Sequence, residues 1–501
     1  LIEKVAALGK EGRWKEALAA ADAAIADGLP PDLYVHSSCL GAAAHSGRWR
    51  EAFDVLRKMR SDGFHPTTAV YNAAIHACGV GGQWKLSLRL LREMRDCEKL
   101  FSVAGRGMVG SEVGERCFSS ACDILDKFAV GQRSDIEGDH RPPPDTQTFN
   151  SVMSACGRAG EWRLALDVMQ VMQDRCLLPN EVTYNTAISA CAKGGETDRA
   201  LELVEQMAEA GCKPDAFTYN SAISACARNG RWERALFLLG QMKASAGVPP
   251  DVFSFSSAIT ACGKAGQWEL ALGVLDAMKR KGVRPGKVAF NAAIDACGKG
   301  GQWERAVGLL REMQTAPAVG EGEGQEAAIL VPDVVSYNAA IKACSEAGKW
   351  ELAVSLLEEM RLSGGNANHD MENERRRSRV PMPDIVSYST AIAACGRAGI
   401  WNRALGLLEQ MQGEGLTPTP STFTAAITAC RKGGQPRLVL HLLDRMRAYK
   451  VTPDAICYGA ALRACAEAVL CDPARRLLAE MEVGNIEIDA GARRAATVAC
   501  A

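Results

Sequence analysis

Apolar residues along this chain recur in two alternating helical registers. Between Ala216 and Asp251, Tyr219, Ile223 and Cys226 fall on one face of a first helix. Trp232, Ala235, Leu236, Leu239 and Met242 form one stripe on a second. Asn229-Gly230 separates them, the glycine supplying the left-handed turn that ends a helix. Pro249-Pro250-Asp251 closes the unit, and the Asp is placed to cap the helix that follows. We refer to the two helices as A and B. The small residues Ala222, Ser224 and Ala225 in helix A predict a close approach by helix B.

The unit repeats along the chain. Trp14, Trp49 and Trp84 are 35 residues apart, as are Trp268 and Trp303, and Thr197 stands midway in the 70-residue step from Trp162 to Trp232. Cys156, Cys191 and Cys226 keep the same step of 35, as do Cys262 and Cys297, and Cys395, Cys430 and Cys465. A fixed period in this range is the mark of a stacked array. One such unit cannot bury its own apolar face and must stack on its neighbours. The expected fold is therefore all-α, a solenoid of helix-turn-helix repeats over residues 1–501, with both ends cut inside a repeat. Three insertions interrupt it, at 96–143, 315–331 and 363–382, each in the loop that follows helix B. Polar, Gly-rich and charged, they read as disordered.

Composition narrows the chemistry. Net charge is −1 and the pI about 6.7, so any polyanion-binding role must come from where charges sit, not from their sum. No apolar run is long enough to span a bilayer, and no membrane is implied. The Cys column, from Cys78 through Cys465 to Cys500, reads as a small buried hydrophobe, with stacked units too far apart for disulfides between equivalent places. That argues for a reducing compartment. Gly105, Gly107 and Gly110 match GxGxxG, but no strand precedes them and no βαβ unit surrounds them. The histidines show no ligand spacing, and no CxxC, HExxH, P-loop or GxSxG is present. No metal, cofactor or catalytic constellation is implied. Acidic residues on helix B read as scattered, solvated surface.

Three polar columns remain once the core is set aside. The first follows the aromatic of helix A: Asn72, Asn150, Asn185, Asn220, Asn291 and Asn338, with Thr424 and Ser or Gly elsewhere. Helix packing by itself gives no reason for an amide there. The second is the last residue of each unit: Asp145, Asn180, Asp215, Asp251, Asp333, Asp384 and Asp454, where helix capping is a competing explanation. The third lies two places before the turn glycine: Arg158, Lys193, Arg228, Lys264, Lys299, Arg397 and Lys432. In a solenoid each column becomes a line, so the third predicts a basic rail suited to a phosphate backbone. An amide donates and accepts at once, which suits the edge of an unstacked base. The apolar residues Val182, Phe217, Phe253, Val288, Val335, Val386 and Ile456 are placed to sandwich one.

The 35-residue period, the [VFT]-[TS]-[YF]-N opening of helix A, the Lys/Arg-x-Gly turn, the helix B Met and the Pro-Asp close resemble the pentatricopeptide repeat family. The match runs over nearly the whole chain outside the insertions and is of the plain class with repeats of one length. The Trp and Cys columns look more like algal or protist members than land-plant ones. The resemblance implies a right-handed superhelix that binds single-stranded RNA at about one nucleotide per repeat, in a mitochondrion or chloroplast. Other organellar RNA-processing proteins are the further partners it implies. Its base-selecting positions are the fifth and last of each repeat. Carried across, Asn72 with Asp145, Asn185 with Asp215, Asn220 with Asp251, Asn291 with Asp333 and Asn338 with Asp384 would select uridine. Asn150 with Asn180 would select cytidine, and Thr424 with Asp454 guanosine. Ser37–Thr67, Ser256–Gly286, Ser389–Thr419 and Gly459–Asp489 depart from the known pairs. In chain order the implied target is pyrimidine-rich and U-biased, containing UCUUNUUNG. Two other readings stand beside a binder without catalytic activity: the RNA-binding part of a processing endonuclease whose catalytic domain lies outside this chain, and a protein-binding helical scaffold.

Overall fold

The computed structural model describes residues 33–94, 142–244, 247–315, 330–365, 381–449 and 451–483, with a few single positions near either end. The three insertions fall almost wholly outside these residues, as do Trp14, Asp489 and Cys500. Every regular element among the described residues is an α-helix. None is long and apolar enough to cross a membrane.

The chain divides into two compact units, one comprising residues 1–229 and 233–250, the other 230–232 and 251–501. The helices are, in order, α1 (Leu33–His45), α2 (Trp49–Ser61), α3 (Thr68–Val80), α4 (Trp84–Glu93), α5 (Thr146–Arg158), α6 (Trp162–Asp174), α7 (Glu181–Gly194), α8 (Thr197–Glu209), α9 (Ala216–Arg228) and α10 (Trp232–Ala244). They continue as α11 (Val252–Lys264), α12 (Trp268–Arg280), α13 (Lys287–Lys299), α14 (Trp303–Thr315), α15 (Val334–Glu346), α16 (Trp350–Gly365), α17 (Ile385–Ala398), α18 (Trp401–Gly413), α19 (Pro420–Lys432), α20 (Pro436–Ala448), α21 (Ala455–Glu467) and α22 (Cys471–Val483). Odd numbers are helices A and even numbers helices B.

The packing repeats within each unit. Helices A other than α9 pack on their own helix B, and within a unit each helix A packs on the next helix A and on the helix B before it. Successive helices A therefore form a row, from α1 to α9 in the first unit and from α11 to α21 in the second. The long insertion does not break it: α5 packs on α3 and α4 as in uninterrupted repeats.

Small residues make this row possible. A Cβ on Gly157 would lie 2.9 Å from the Cβ of Ala190, and one on Gly396 would lie 2.7 Å from the Ala425 carbonyl oxygen. Trp49, Trp162, Trp268 and Trp401, each opening a helix B, lie against the end of the next helix A. A Cβ on Gly194 would fall 2.2 Å from Trp162 Cδ1, and one on Gly433 2.3 Å from Trp401 Cδ1. The Cys column from Cys78 to Cys465 is buried, and burial pushes its thiols up to about 11 at Cys191 and about 12 at Cys78. These are core thiols, protonated at neutral pH and unreactive. Gly230 takes a φ of +66° in its A-to-B turn, whereas the corresponding turn between α21 and α22 holds Val469 at +55°.

Candidate nucleic-acid interface

The last-residue column is a run of helix caps. Asp145, Asn180, Asp215, Asp251, Asp333 and Asp384 each accept from the backbone N–H three residues on, and each forms a reciprocal capping box with a Thr or Ser there. Asp454 caps Cys457 N in the same way. The capping explanation raised by the sequence thus holds for every described member. It does not exhaust them, because Asp145, Asn180, Asp215, Asp333 and Asp384 also bond backward to the repeat before.

The fifth-position amides make that backward bond. Asn72 Nδ2 donates to Asp145 Oδ1 at 3.1 Å, Asn185 Nδ2 to Asp215 at 3.3 Å, Asn291 Nδ2 to Asp333 at 3.2 Å, and Asn338 Nδ2 to Asp384 at 3.1 Å. The opposite end of each amide accepts from the capping-box hydroxyl. Thr148 donates to Asn72 Oδ1 at 2.6 Å, Thr218 to Asn185 at 2.5 Å, Ser336 to Asn291 at 2.6 Å, and Ser387 to Asn338 at 2.6 Å. Packing therefore does supply a reason for the amide, contrary to the expectation from sequence. Each Asn ties its repeat to the next, and the first, third and fourth of these ties span insertions.

Asn150 is the exception. Its Nδ2 reaches Asn180 Oδ1 at only 3.4 Å, and Thr183 donates to Asn180 instead, at 2.9 Å. Asn150 Oδ1 is buried with no hydrogen-bond partner, in a side chain only 9% exposed. Thr424 takes a third arrangement, its hydroxyl donating to the Pro420 carbonyl and lying 3.1 Å from Cys457 Sγ. Asn220 is half-buried on α9 of the first unit, and Asp251 begins α11 of the second.

The carboxyls respond to this bonding. Burial pushes Asp145, Asp215, Asp333 and Asp384 up. Bonds from the capped backbone and the amide, with the capping-box hydroxyl alongside, outweigh it and hold all four below the usual carboxylate range. They are anions at neutral pH. A carboxylate only accepts, so the amide must turn its NH2 toward it.

Two residues after the N-cap of helix A, seven repeats carry an apolar side chain that packing leaves in solvent, whereas Gln147 follows Asp145 and Ser421 follows Thr419. Val182, Phe217, Phe253, Val288, Val335, Val386 and Ile456 are 53% to 66% exposed. In the second unit a cavity of about 600 Å³ brings candidate groups together: Arg397, Ser421, Thr424, Thr428, Asp454 and Ile456 line it between α17, α19 and α21.

The basic column is exposed throughout, and several members are engaged within the chain. Arg228 donates to the Lys193 carbonyl at 3.1 Å, Lys299 to that of Gly263 at 3.2 Å, Arg397 to that of Ser345 at 3.1 Å, and Lys432 to that of Arg397 at 2.8 Å. Each cation thus sits on the C-terminal carbonyls of the preceding helix A, where the helix dipole favours it. Arg158 instead bonds Ser154 one turn back in its own helix. Lys193 and Lys264 stand exposed at the ends of α7 and α11.

Helix B holds a feature the sequence reading treated as scattered surface. Glu93, Glu312, Glu359 and Glu480 occupy one register position of helix B and pair with the helix B before: with Arg60 at 3.0 Å, Lys279 at 2.6 Å, Arg311 at 2.6 Å, and Arg447. An aromatic of helix A lies beside the bridge: Arg60 donates to Tyr71 Oη, and Tyr337 Oη donates to Glu359. The recurrence of Glu in helix B was the available signal.

Among the described residues no group of three or more His, Cys, Asp or Glu side chains is placed to hold a metal ion.

The fold and these ladders define an all-α repeat protein whose polar groups line a row of A helices. The PPR repeat family model matches residues 144–193, 179–228, 217–264, 250–299 and 383–432. A PPR repeat model matches 69–98, 288–316, 335–365 and 421–451, and a pentatricopeptide repeat domain model matches 21–80. The chain belongs to the pentatricopeptide repeat family. Among solved structures it is similar to the pentatricopeptide repeat protein PPR10 from maize, at 20% identity and a TM-score of 0.48, over 98% of this chain and 74% of that one. The same maize protein in complex with an 18-nt psaJ RNA element aligns at 19% identity and a TM-score of 0.48, over 98% of this chain and 75% of that one. Yeast Rmd9p in complex with a 16-nt target RNA aligns at 11% identity and a TM-score of 0.29, over 96% of this chain and 82% of that one. No curated protein sequence matches the chain significantly.

Proposed function

We propose that this protein binds single-stranded RNA selectively, one nucleotide to about each repeat, and acts by occupying its site rather than by chemistry of its own. The observation that carries the reading is the pairing, repeat after repeat, of an exposed apolar side chain with an amide and an acceptor on the same row of A helices. Such a side chain has no packing role at over half exposure, and it offers a face for a base. Stacking contributes about 1–3 kcal/mol per base, enough over several repeats for tight binding after ordering losses. Beside it, the Asn–Asp pairs offer an N–H and a carboxylate oxygen to uracil, whose edge carries a carbonyl and an N–H. The cavity at Arg397, Thr424, Asp454 and Ile456 gathers a cation, polar groups and an apolar wall around a space large enough for a base.

The cations enter differently from a free rail. Arg228, Lys299, Arg397 and Lys432 hold the preceding helix end while keeping exposed charge near the row, so phosphates would meet a partly compensated line. From the family we place the protein in a mitochondrion or chloroplast, a location that tagging it in cells checks. There, occupancy would protect a transcript end or hold a site unpaired.

The test is binding of the purified chain to fluorescent UCUUNUUNG RNA beside its complement and the same sequence as DNA. Tight, salt-dependent binding that prefers the first probe supports the reading. Equal or absent binding to all three overturns it in favour of a protein partner.

A further inference from the structure

The Asn–Asp pairs and the Asn150–Asn180 pair differ in one contact that neither pair contains. At Asn72, Asn185, Asn291 and Asn338 a hydroxyl from the next helix A donates to the amide oxygen at 2.5–2.6 Å. At Asn150 the equivalent hydroxyl, on Thr183, is turned to Asn180, and the amide oxygen is left buried and unpartnered. We propose that this Thr or Ser, three residues after the cap, is a positioning residue for base selection in the repeat before it. The inference rests on the RNA-binding reading above.

The argument is one of proton count. A threonine hydroxyl has a single proton. In the second of these clusters Thr218 Oγ1 accepts from Asp215 N at 3.1 Å and lies 2.5 Å from Asn185 Oδ1 and 2.8 Å from Asp215 Oδ1. Two oxygens 2.5 Å apart repel unless a proton lies between them, so the proton goes to the amide. Asp215, as an anion, requires the NH2 on its own side. The two contacts fix the amide from both ends. A flip would turn an amide oxygen toward a carboxylate and an NH2 toward the hydroxyl. With the flip barred, the amide carbonyl cannot turn outward to accept from the exocyclic amine of cytosine. Its second N–H remains for a uracil carbonyl.

Asn150 completes the logic. Its oxygen lacks the lock, is left without a partner in a residue only 9% exposed, and is the kind of acceptor that an amine donor would satisfy. Cytosine carries such a donor and uracil does not. The hydroxyl thus separates the two kinds of repeat as surely as the Asp-to-Asn change does, and it belongs to the following repeat. In this array a repeat's selectivity is finished by its neighbour.

The experiment measures the ratio of affinities for UCUUNUUNG RNA carrying U or C at the third nucleotide, which faces Asn185–Asp215. Wild type, Thr218→Val and Thr218→Ser are compared, with thermal unfolding of each. Loss of one neutral hydrogen bond predicts that Thr218→Val lowers the U-to-C preference by about three- to tenfold, while Thr218→Ser keeps it. A merely structural role would weaken both RNAs alike and leave the ratio where it was. A folded Thr218→Val with the wild-type ratio overturns the proposal. Should that variant unfold, Ser336→Ala with U or C at the sixth nucleotide carries the same comparison. Failure of wild type to bind any RNA would instead bring down the RNA-binding reading, and the proposal with it.

Discussion

The row of A helices and the line of B helices both tie each repeat to the next through polar side chains, and they do it with opposite chemistry. On helix B the bridges join full charges: Glu359 receives two bonds from Arg311 and one from Tyr337, and Glu312 pairs with Lys279. These charges are satisfied by one another. On helix A the ties are amides, hydroxyls and one capping carboxylate, set beside exposed apolar side chains, with an unpartnered oxygen at Asn150. Polar bonding between repeats therefore does not mark a binding surface by itself. What marks it is bonding that leaves donors and acceptors unsaturated next to apolar area that packing does not use.

The backbones differ as well, and this predicts the largest effect. Helices A approach each other over glycine, whereas the helix B glycines stand in open space. A Cβ on Gly396 would meet the Ala425 carbonyl at 2.7 Å, but nothing lies within 4 Å of one on Gly308 or Gly273. Gly396→Ala should cost about 1–3 kcal/mol through overpacking against backbone. Gly308→Ala should stabilise by about 0.5–1 kcal/mol through helix propensity alone. Urea unfolding of both variants decides the matter. Loss of similar size from both would mean that the two rows are packed alike.

The capping carboxyls come next. Asp215, Asp333 and Asp384 have folded-state values held below the unfolded one, so each contributes stability that is fully present above about pH 4. That contribution is lost as pH falls through the depressed folded value. Asp333→Ala should destabilise by about 1 kcal/mol at neutral pH, by loss of the cap, and should flatten the acid limb of the stability curve. An acid limb as steep as wild type would show that these caps do not drive it. Asp333→Asn keeps an acceptor for the cap, so it should lose less stability while changing the base that its repeat accepts.

Much of this was legible in the sequence, and the parts that were not share a cause. The Trp and Cys columns, the turn glycine and the cap are local patterns with a fixed period, so the helices, their ends and the buried thiols could be read from spacing. The bond between Asn72 and Asp145 could not, although the resemblance pairs the two residues, because an amide carries no sign of the group it will bond. Nor could the contacts of Arg228, Lys299 and Lys432, whose acceptors are backbone carbonyls that every residue possesses. The helix B bridges were hidden by variety: the cation is Arg60, Lys279, Arg311 or Arg447, so the pattern lies in the Glu alone.

The smallest effect tests the comparison most directly. Arg311 and Glu359 are half-exposed, and although the fork between them is bidentate, water and salt screen it. Burial pushes Glu359 up, but bonds from Arg311, Gln314 and Tyr337 hold it below the usual range, which gives it the same acid-side loss as the caps. Glu359→Gln should cost only about 0.2–1 kcal/mol, and less in high salt. Its effect on RNA affinity should be nil, because the bridge is on helix B and the columns of amides and apolar side chains proposed to meet RNA are on helix A. A conservative change on helix A, Asn338→Ala, removes a tie of comparable strength yet should reduce affinity for RNA with U opposite its repeat. If the two variants alter stability and RNA binding in the same proportion, the two ladders are one scaffold and the distinction between them fails. If they part, with Glu359 felt only in folding and Asn338 in both, the face of the molecule that reads the ligand is the row of A helices.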